Sequence, residues 1–214
     1  MILIINNFNE NVHLGDLDGK RTGELCQKIS GQEFMVKRYF EVSGEFLEEH
    51  PEIKGVVLGG CNCSWDHLYF DIFDGEFDLI RKSRVPVLGI CAGHQLMAMA
   101  YGGSARRADF GKEERHFTRM KIVKESPITE GIPDEVYAFQ YHSCMVPELP
   151  EGFELLVTGE KTVIQAMGKT GEHKYGVQFH PELDHEAADP LFRAEDPSLV
   201  NGQQVLTNFL KLCR

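Results

Sequence analysis

Short runs that are wholly or mostly apolar punctuate the first half of the chain, and longer amphipathic stretches separate them. Residues 2–5 (ILII), 33–40 (EFMVKRYF), 55–58 (GVVL) and 86–90 (PVLGI) are predicted strands. Residues 16–29, 45–49 and 71–82 are predicted helices, the first containing Gly19 and Gly23, which weaken it. Strands alternating with helices predict a parallel sheet covered by helices on both faces. Val56, Val57 and Leu58, and the run 85–90, are apolar at successive positions, as central strands buried on both sides require.

The pattern changes from Ser104 onward. Residues 117–123, 136–141, 153–157, 163–167 and 175–179 follow one another as predicted strands with turn residues between them, and a helix over 203–212 closes the chain. There is no internal repeat and no linker rich in Pro, Gly or Ser. The expected architecture is a single α/β domain over 1–214. Its central sheet is open and mostly parallel, with flanking helices and a β-rich second half.

Composition adds exclusions. The 214 residues are 42% hydrophobic and suffice for a sizeable core. A net charge of -11 argues against a nucleic-acid or anionic-membrane partner, because neutralising phosphates needs a basic surface. No stretch approaches the roughly 18 apolar residues of a membrane span, and the N-terminus lacks the basic start of a signal peptide. The six cysteines (Cys26, Cys61, Cys63, Cys91, Cys144 and Cys213) are read as reduced thiols, and the chain as cytoplasmic.

One thiol stands apart. In Gly89-Ile90-Cys91-Ala92-Gly93, a cysteine lies between two glycines, after a strand and before a predicted helix over 93–101. Small neighbours permit the sharp strand-to-helix turn that exposes a nucleophile. At a helix N-terminus the dipole and free N–H groups favour a thiolate, and the N–H of Ala92 is placed to bind an oxyanion. The competing reading is a core cysteine before a glycine turn.

Partners for the thiol lie elsewhere. In YGVQFHPE (175–182), Tyr175, Val177 and Phe179 alternate as on one strand face. Positions i and i+2 of an extended segment share a side, so Glu182 can orient the His180 imidazole. The alternatives are an ordinary strand-end histidine and, with Asp184 and His185, a metal cluster of no usual zinc spacing. Paired Gly59 and Gly60 end the third strand, where open parallel sheets bind ligands, and Gly60 is the candidate second oxyanion donor rather than part of a simple turn. Cys61 and Cys63, with His67, Cys91 and His94, also admit a metal or redox reading, although CxC is not a structural-zinc spacing. No metal is assigned.

Together these pieces resemble the class I, triad-type glutamine amidotransferases. The resemblance rests on GICAGHQ (89–95), GVQFHPE (176–182), the Gly59-Gly60 loop and QYHS (140–143), with support from LPEGFELL (149–156), VIQAM (163–167) and GQQVLTNFL (202–210). It runs from about Gly55 to the C-terminus and is thin over the first 50 residues. It implies a flavodoxin-like fold and a glutaminase that releases ammonia and glutamate through a γ-glutamyl thioester. It also implies Cys91 as nucleophile, His180 as general base and acid, Glu182 as its orienter, and Gly60 and Ala92 as oxyanion donors. Gln95 would contact the bound glutamine, and the backbone of Ser143 and Cys144 its α-amino and α-carboxylate groups. The chain departs from the family at Cys61-Asn62-Cys63-Ser64, where proline and serine often follow the paired glycines. Residues 183–201 form a long, acidic, proline-broken segment, expected as a surface loop beside the site.

No P-loop is present and no cofactor is expected, so an acceptor for the ammonia implies a synthetase on another chain. The nearest kinds of relative are the stand-alone glutaminase subunits of GMP synthetase and of anthranilate synthase. A γ-glutamyl hydrolase acting on another amide with the same three residues is the alternative. A non-catalytic binding protein on the same fold is a third reading.

Overall fold

The computed structural model describes residues 1–8, 12–61, 65, 70–108, 114–186, 191 and 193–214. The first half runs β1 (Ile2–Asn6), α1 (Val12–Ser30), β2 (Phe34–Arg38), α2 (Phe46–Glu49), β3 (Gly55–Leu58), α3 (Asp74–Lys82), β4 (Val87–Ile90) and α4 (Ala92–Ala100). The second half runs β5 (Arg106–Arg107), β6 (Glu114–Ile122), β7 (Glu135–His142), β8 (Cys144–Met145), β9 (Phe153–Thr158), β10 (Ala166–Lys169), β11 (Lys174–Val177) and α5 (Gly202–Leu212).

Nine strands make one sheet in the order β2-β1-β3-β4-β11-β10-β9-β6-β7, and β5 pairs with β8 apart from it. The pairs from β2 across to β11 are parallel, and those from β11 to β7 antiparallel. β4 and β11 therefore lie side by side at the sheet centre, although the chain between them makes the whole antiparallel half. That adjacency carries the ends of residues 87–90 and 174–177 to one place.

The strand alternation sorts the core into two layers. Leu3, Ile5, Val56, Leu58 and Val87 face α3 and α4, while Ile2, Ile4, Val57, Leu88 and Ile90 face α1 and α5. α5 buries Val205, Leu206, Phe209 and Leu210, worth about 1.5–3 kcal/mol apiece. α1 spans 19 residues despite its glycines. A Cβ on Gly23 would stand 2.2 Å from the Phe34 ring and one on Gly15 2.1 Å from Asn6, so the bare backbone is what lets α1 lie close over β1 and β2.

The structure departs from the sequence expectation at several edges. The stretch predicted as a strand to Phe40 ends at Arg38, and Tyr39–Glu41 forms a 3-10 turn instead. The predicted helix from Asp71 begins as a 3-10 turn, Phe70–Phe73, before α3. The strand expected over 163–167 starts only at Ala166, and the one expected to reach Phe179 stops at Val177. The β5–β8 pair, two residues per strand, is too short to leave a periodic signal. No helix among the described residues is long and apolar enough to cross a membrane.

Candidate active site

β4 delivers Cys91 to a backbone conformation that ordinary residues avoid. Its φ of 52° and ψ of -103° make it the sole non-glycine residue with positive φ among the described residues. Such a conformation costs roughly 1–3 kcal/mol and must be over-determined by its surroundings. The flanking glycines show how. A Cβ on Gly89 would lie 2.4 Å from the Gly93 carbonyl oxygen, and one on Gly93 2.4 Å from the Leu58 oxygen. Cys91 N–H donates to Val177 O at 2.8 Å, tying the turn to β11. The thiol is buried, at 5% exposure, directly before α4.

β11 ends at Val177, and the chain bends and crosses to β7, where His180 N–H donates to Phe139 O at 2.9 Å. His180 Nδ1 donates to Glu182 Oε1 at 2.6 Å. The i and i+2 residues thus meet across a turn rather than along an extended strand. Burial opposes charge on the His180 ring, but the Glu182 carboxylate and the Cys91 thiol outweigh it and hold the imidazole well above the usual histidine range. Tyr141 O lies 3.6 Å from Cys91 Sγ and 3.4 Å from His180 Nε2, so one carbonyl on β7 faces both groups. Tyr141 sits within the QYHS motif, but nothing in its residue type marks its backbone as part of the site.

Gly60 stands at the opposite wall. A Cβ there would be 3.5 Å from His180 Cε1 and 3.8 Å from Cys91 Cβ. Among the described residues neither Gly60 N–H nor Ala92 N–H has a hydrogen-bond acceptor, so two backbone donors stand unengaged on either side of the thiol. Beyond Gly60, Cys61 is bonded in a disulfide, which corrects the reading of all six cysteines as thiols. Cys26, Cys91, Cys144 and Cys213 are free. Burial pushes the Cys26 and Cys213 thiols up to about 12. Asn62, Cys63, Ser64 and His67 lie outside the described residues. Among those described, no cluster of three His, Cys, Asp or Glu could hold a metal ion.

Gln95, expected beside the substrate, is 2% exposed, and its amide is committed within the protein. Its Nε2 donates to Cys144 O at 2.7 Å and to Gln178 Oε1 at 3.0 Å, and its Oε1 accepts from Trp65 Nε1. It thereby ties α4 to the 143–144 segment. His142 Nδ1 also reaches Cys144 O, at 3.1 Å, and Ser143 O accepts from Ala108 N–H at 2.9 Å. Ser143, Cys144, Gln95, Cys91, His180, Glu182 and Gly60 all line one cavity of about 920 Å³. The cavity continues past the thiol to Leu14, Asp18 and Thr22 of α1, a wall that no sequence motif marks. Leu183 and Asp184, which open the acidic 183–201 segment, line its rim. Residues 187–190 and 192 of that segment lie outside the described residues.

An open α/β sheet thus carries a strained cysteine to the wall of a cavity at the end of β4. The chain belongs to the class-I glutamine amidotransferases: the model of that family matches residues 31–195. It is accordingly a cysteine-dependent enzyme of the glutamine amidotransferase type. The glutamine-hydrolysing GMP synthase subunit of Methanocaldococcus jannaschii is 34% identical over 215 residues, covering all of this chain and 97% of the relative. The corresponding protein of Sulfolobus acidocaldarius is 35% identical over 168 residues, covering 78% of this chain and 81% of its own length. A crystallised glutamine amidotransferase of Thermotoga maritima shares the fold at a TM-score of 0.72 and 23% identity, covering 98% of this chain and 96% of that one. A Thermoplasma acidophilum protein, solved as a candidate GMP synthase subunit, superposes at 0.77 with 22% identity, over 99% and 92% of the two chains.

Proposed function

We propose that the chain, acting as one glutaminase domain, hydrolyses the side-chain amide of glutamine through a γ-glutamyl thioester on Cys91. The observation that carries this reading is the strained Cys91 turn facing the His180–Glu182 pair. With Nδ1–H donated to Glu182, His180 holds the proton taken from Cys91 at Nε2, so an imidazolium stands beside Sγ as the sulfur attacks the amide carbon. The oxygen becomes an anion between the Gly60 and Ala92 N–H groups. Collapse breaks the carbon–nitrogen bond, and His180 returns its proton to the leaving nitrogen, so ammonia departs. Water, deprotonated by His180, then attacks the thioester and releases glutamate and the thiol. Ser143 and Cys144 would hold the α-amino and α-carboxylate ends, with Gln95 keeping that segment in place.

The relatives' names support a subunit role, in which a partner synthetase chain uses the ammonia to make GMP. We place this reaction in the cytoplasm. Cys91→Ala is expected to abolish ammonia release from glutamine while leaving the melting transition intact, and full activity in that variant would sink the assignment. Activity that is low alone and rises when a synthetase chain is added would support the subunit role. One observation favours a second reading, hydrolysis of a larger γ-glutamyl amide: the cavity extends well beyond the thiol along α1. Cleavage of γ-glutamyl amines faster than of glutamine would select it.

A further inference from the structure

The paired glycines beside Cys91 are held by side chains outside every motif described above. Gly59 O accepts two hydrogen bonds, from Gly93 N–H at 3.1 Å and from Asn7 Nδ2 at 3.0 Å. Gly59 N–H donates to Ile5 O at 2.9 Å. In a trans peptide the carbonyl of one residue and the N–H of the next point in opposite directions, and no described peptide is cis. A Gly59 carbonyl pinned by Gly93 and Asn7 therefore fixes which way the Gly60 N–H points, and Gly60 itself lies against His180 and Cys91. Glycine at both positions leaves this peptide free to rotate, so something else must fix it.

Asn7 is fully buried just past β1, and its Oδ1 has no hydrogen-bond partner. Glu76, in the first turn of α3, is also fully buried, and neither of its carboxyl oxygens is hydrogen-bonded. Unbonded buried polar atoms such as Asn7 Oδ1 and the Glu76 carboxyl oxygens are rare, since each such group costs about 1–3 kcal/mol. Burial pushes the Glu76 carboxyl up to about 8, and the nearby Asn7 amide pulls it partly back, so at neutral pH it is protonated. A protonated carboxyl near Asn7 carries an O–H, the kind of donor that Asn7 Oδ1 is without. The Nδ2 of Asn7 is then left to Gly59.

We propose that Asn7, backed by the buried carboxyl of Glu76, is a positioning residue that locks the Gly59–Gly60 peptide with its N–H toward Cys91. Neither side chain touches substrate. The inference rests on the glutaminase reading, in which the Gly60 N–H binds the oxyanion. A lock on an oxyanion donor acts on the transition state and leaves substrate binding alone.

The test is steady-state glutamine hydrolysis by the full chain carrying Asn7→Leu, which keeps bulk and deletes the donor. We expect kcat to fall roughly 10²-fold, the loss typical of one oxyanion donor, with KM within about twofold. Alkylation of Cys91 by iodoacetamide passes through no oxyanion, so its rate should stay at the wild-type value. Glu76→Leu should lower kcat less, and Glu76→Gln, which donates to Asn7 from the same place, should recover most of that loss. Should Asn7→Leu fail to fold, Asn7→Ala answers the same question. A measurement on the wild-type chain needs no variant at all. With nitrogen-15 glycine, the Gly60 amide resonance should move downfield when a glutamine-derived aldehyde traps Cys91, and an unmoved resonance overturns the lock. Folded Asn7 variants with wild-type kcat overturn it too. If Cys91→Ala is still active, the glutaminase reading itself fails; if Cys91→Ala is dead and the Asn7 variants are not, only the lock fails.

Discussion

The two walls of the cavity are built in different ways. The Cys91 wall is local: five consecutive residues make the turn, and the glycines at 89 and 93 are small because backbone oxygens stand 2.4 Å from where a Cβ would be. The Gly60 wall is assembled from afar, with Asn7 from just past β1 and Gly93 from α4 both bonded to the Gly59 carbonyl. A local device is stiff because covalent geometry and sterics set it. A convergent one depends on hydrogen bonds from several elements, so it can be perturbed without destroying the fold.

Gly93→Ala is expected to do the most damage. The new Cβ meets Leu58 O at 2.4 Å and the Leu58 side chain at 2.6 Å, so either the turn or β3 must move. A stability loss of roughly 3 kcal/mol or more is expected by chemical denaturation, together with loss of ammonia release. A folded, active Gly93→Ala chain would remove the steric account of the turn. Next in size is His180→Ala, whose backbone bond to Phe139 survives the change. On the proposed general-base role, its kcat should fall by about 10²–10⁴-fold in a chain that still folds.

Glu76→Gln sharpens the contrast more gently, through pH. The folded-state value of about 8 stands above the ordinary 4.5, so between these limits the native chain keeps a proton that the unfolded chain releases. Stability carried by Glu76 is therefore full at low pH and drains away as pH rises toward 8, by up to roughly 4 kcal/mol. The Gln variant should match wild type near pH 5 and surpass it increasingly toward pH 8 in denaturant midpoints. His94 runs the other way. Buried and neutral, with its value lowered to about 3 by burial, it favours the fold above the usual histidine range and opposes it as acid is added. Parallel stability curves for Glu76→Gln and wild type would show that the carboxyl ionises freely in the core.

Legibility follows the same division. The Cys91 turn, its strand and its helix can be read because glycine spacing and an apolar run are properties of adjacent residues. His180 and Glu182 can be paired because two residues apart is a short reach, although the pairing is made by a turn and a β7 bridge rather than by a strand. Tyr141 O, the α1 wall and the commitment of Gln95 to Cys144 and Gln178 cannot be read, since each depends on which strands become neighbours. Cys61 is misread as a thiol for a related reason: a thiol and a half-disulfide look alike in a sequence.

By itself, then, the sequence determined the alternation that makes an α/β sheet, the glycines that permit a strained cysteine, and the histidine and carboxylate two residues apart that pair with each other. Those are consequences of local sterics and of two short periodicities. Only the tertiary structure decided that β11 inserts beside β4, bringing residues 91 and 180 together, and that Asn7 stands behind Gly59. Sheet order and buried polar convergence are set by the packing of the whole core, which no window of neighbouring residues contains.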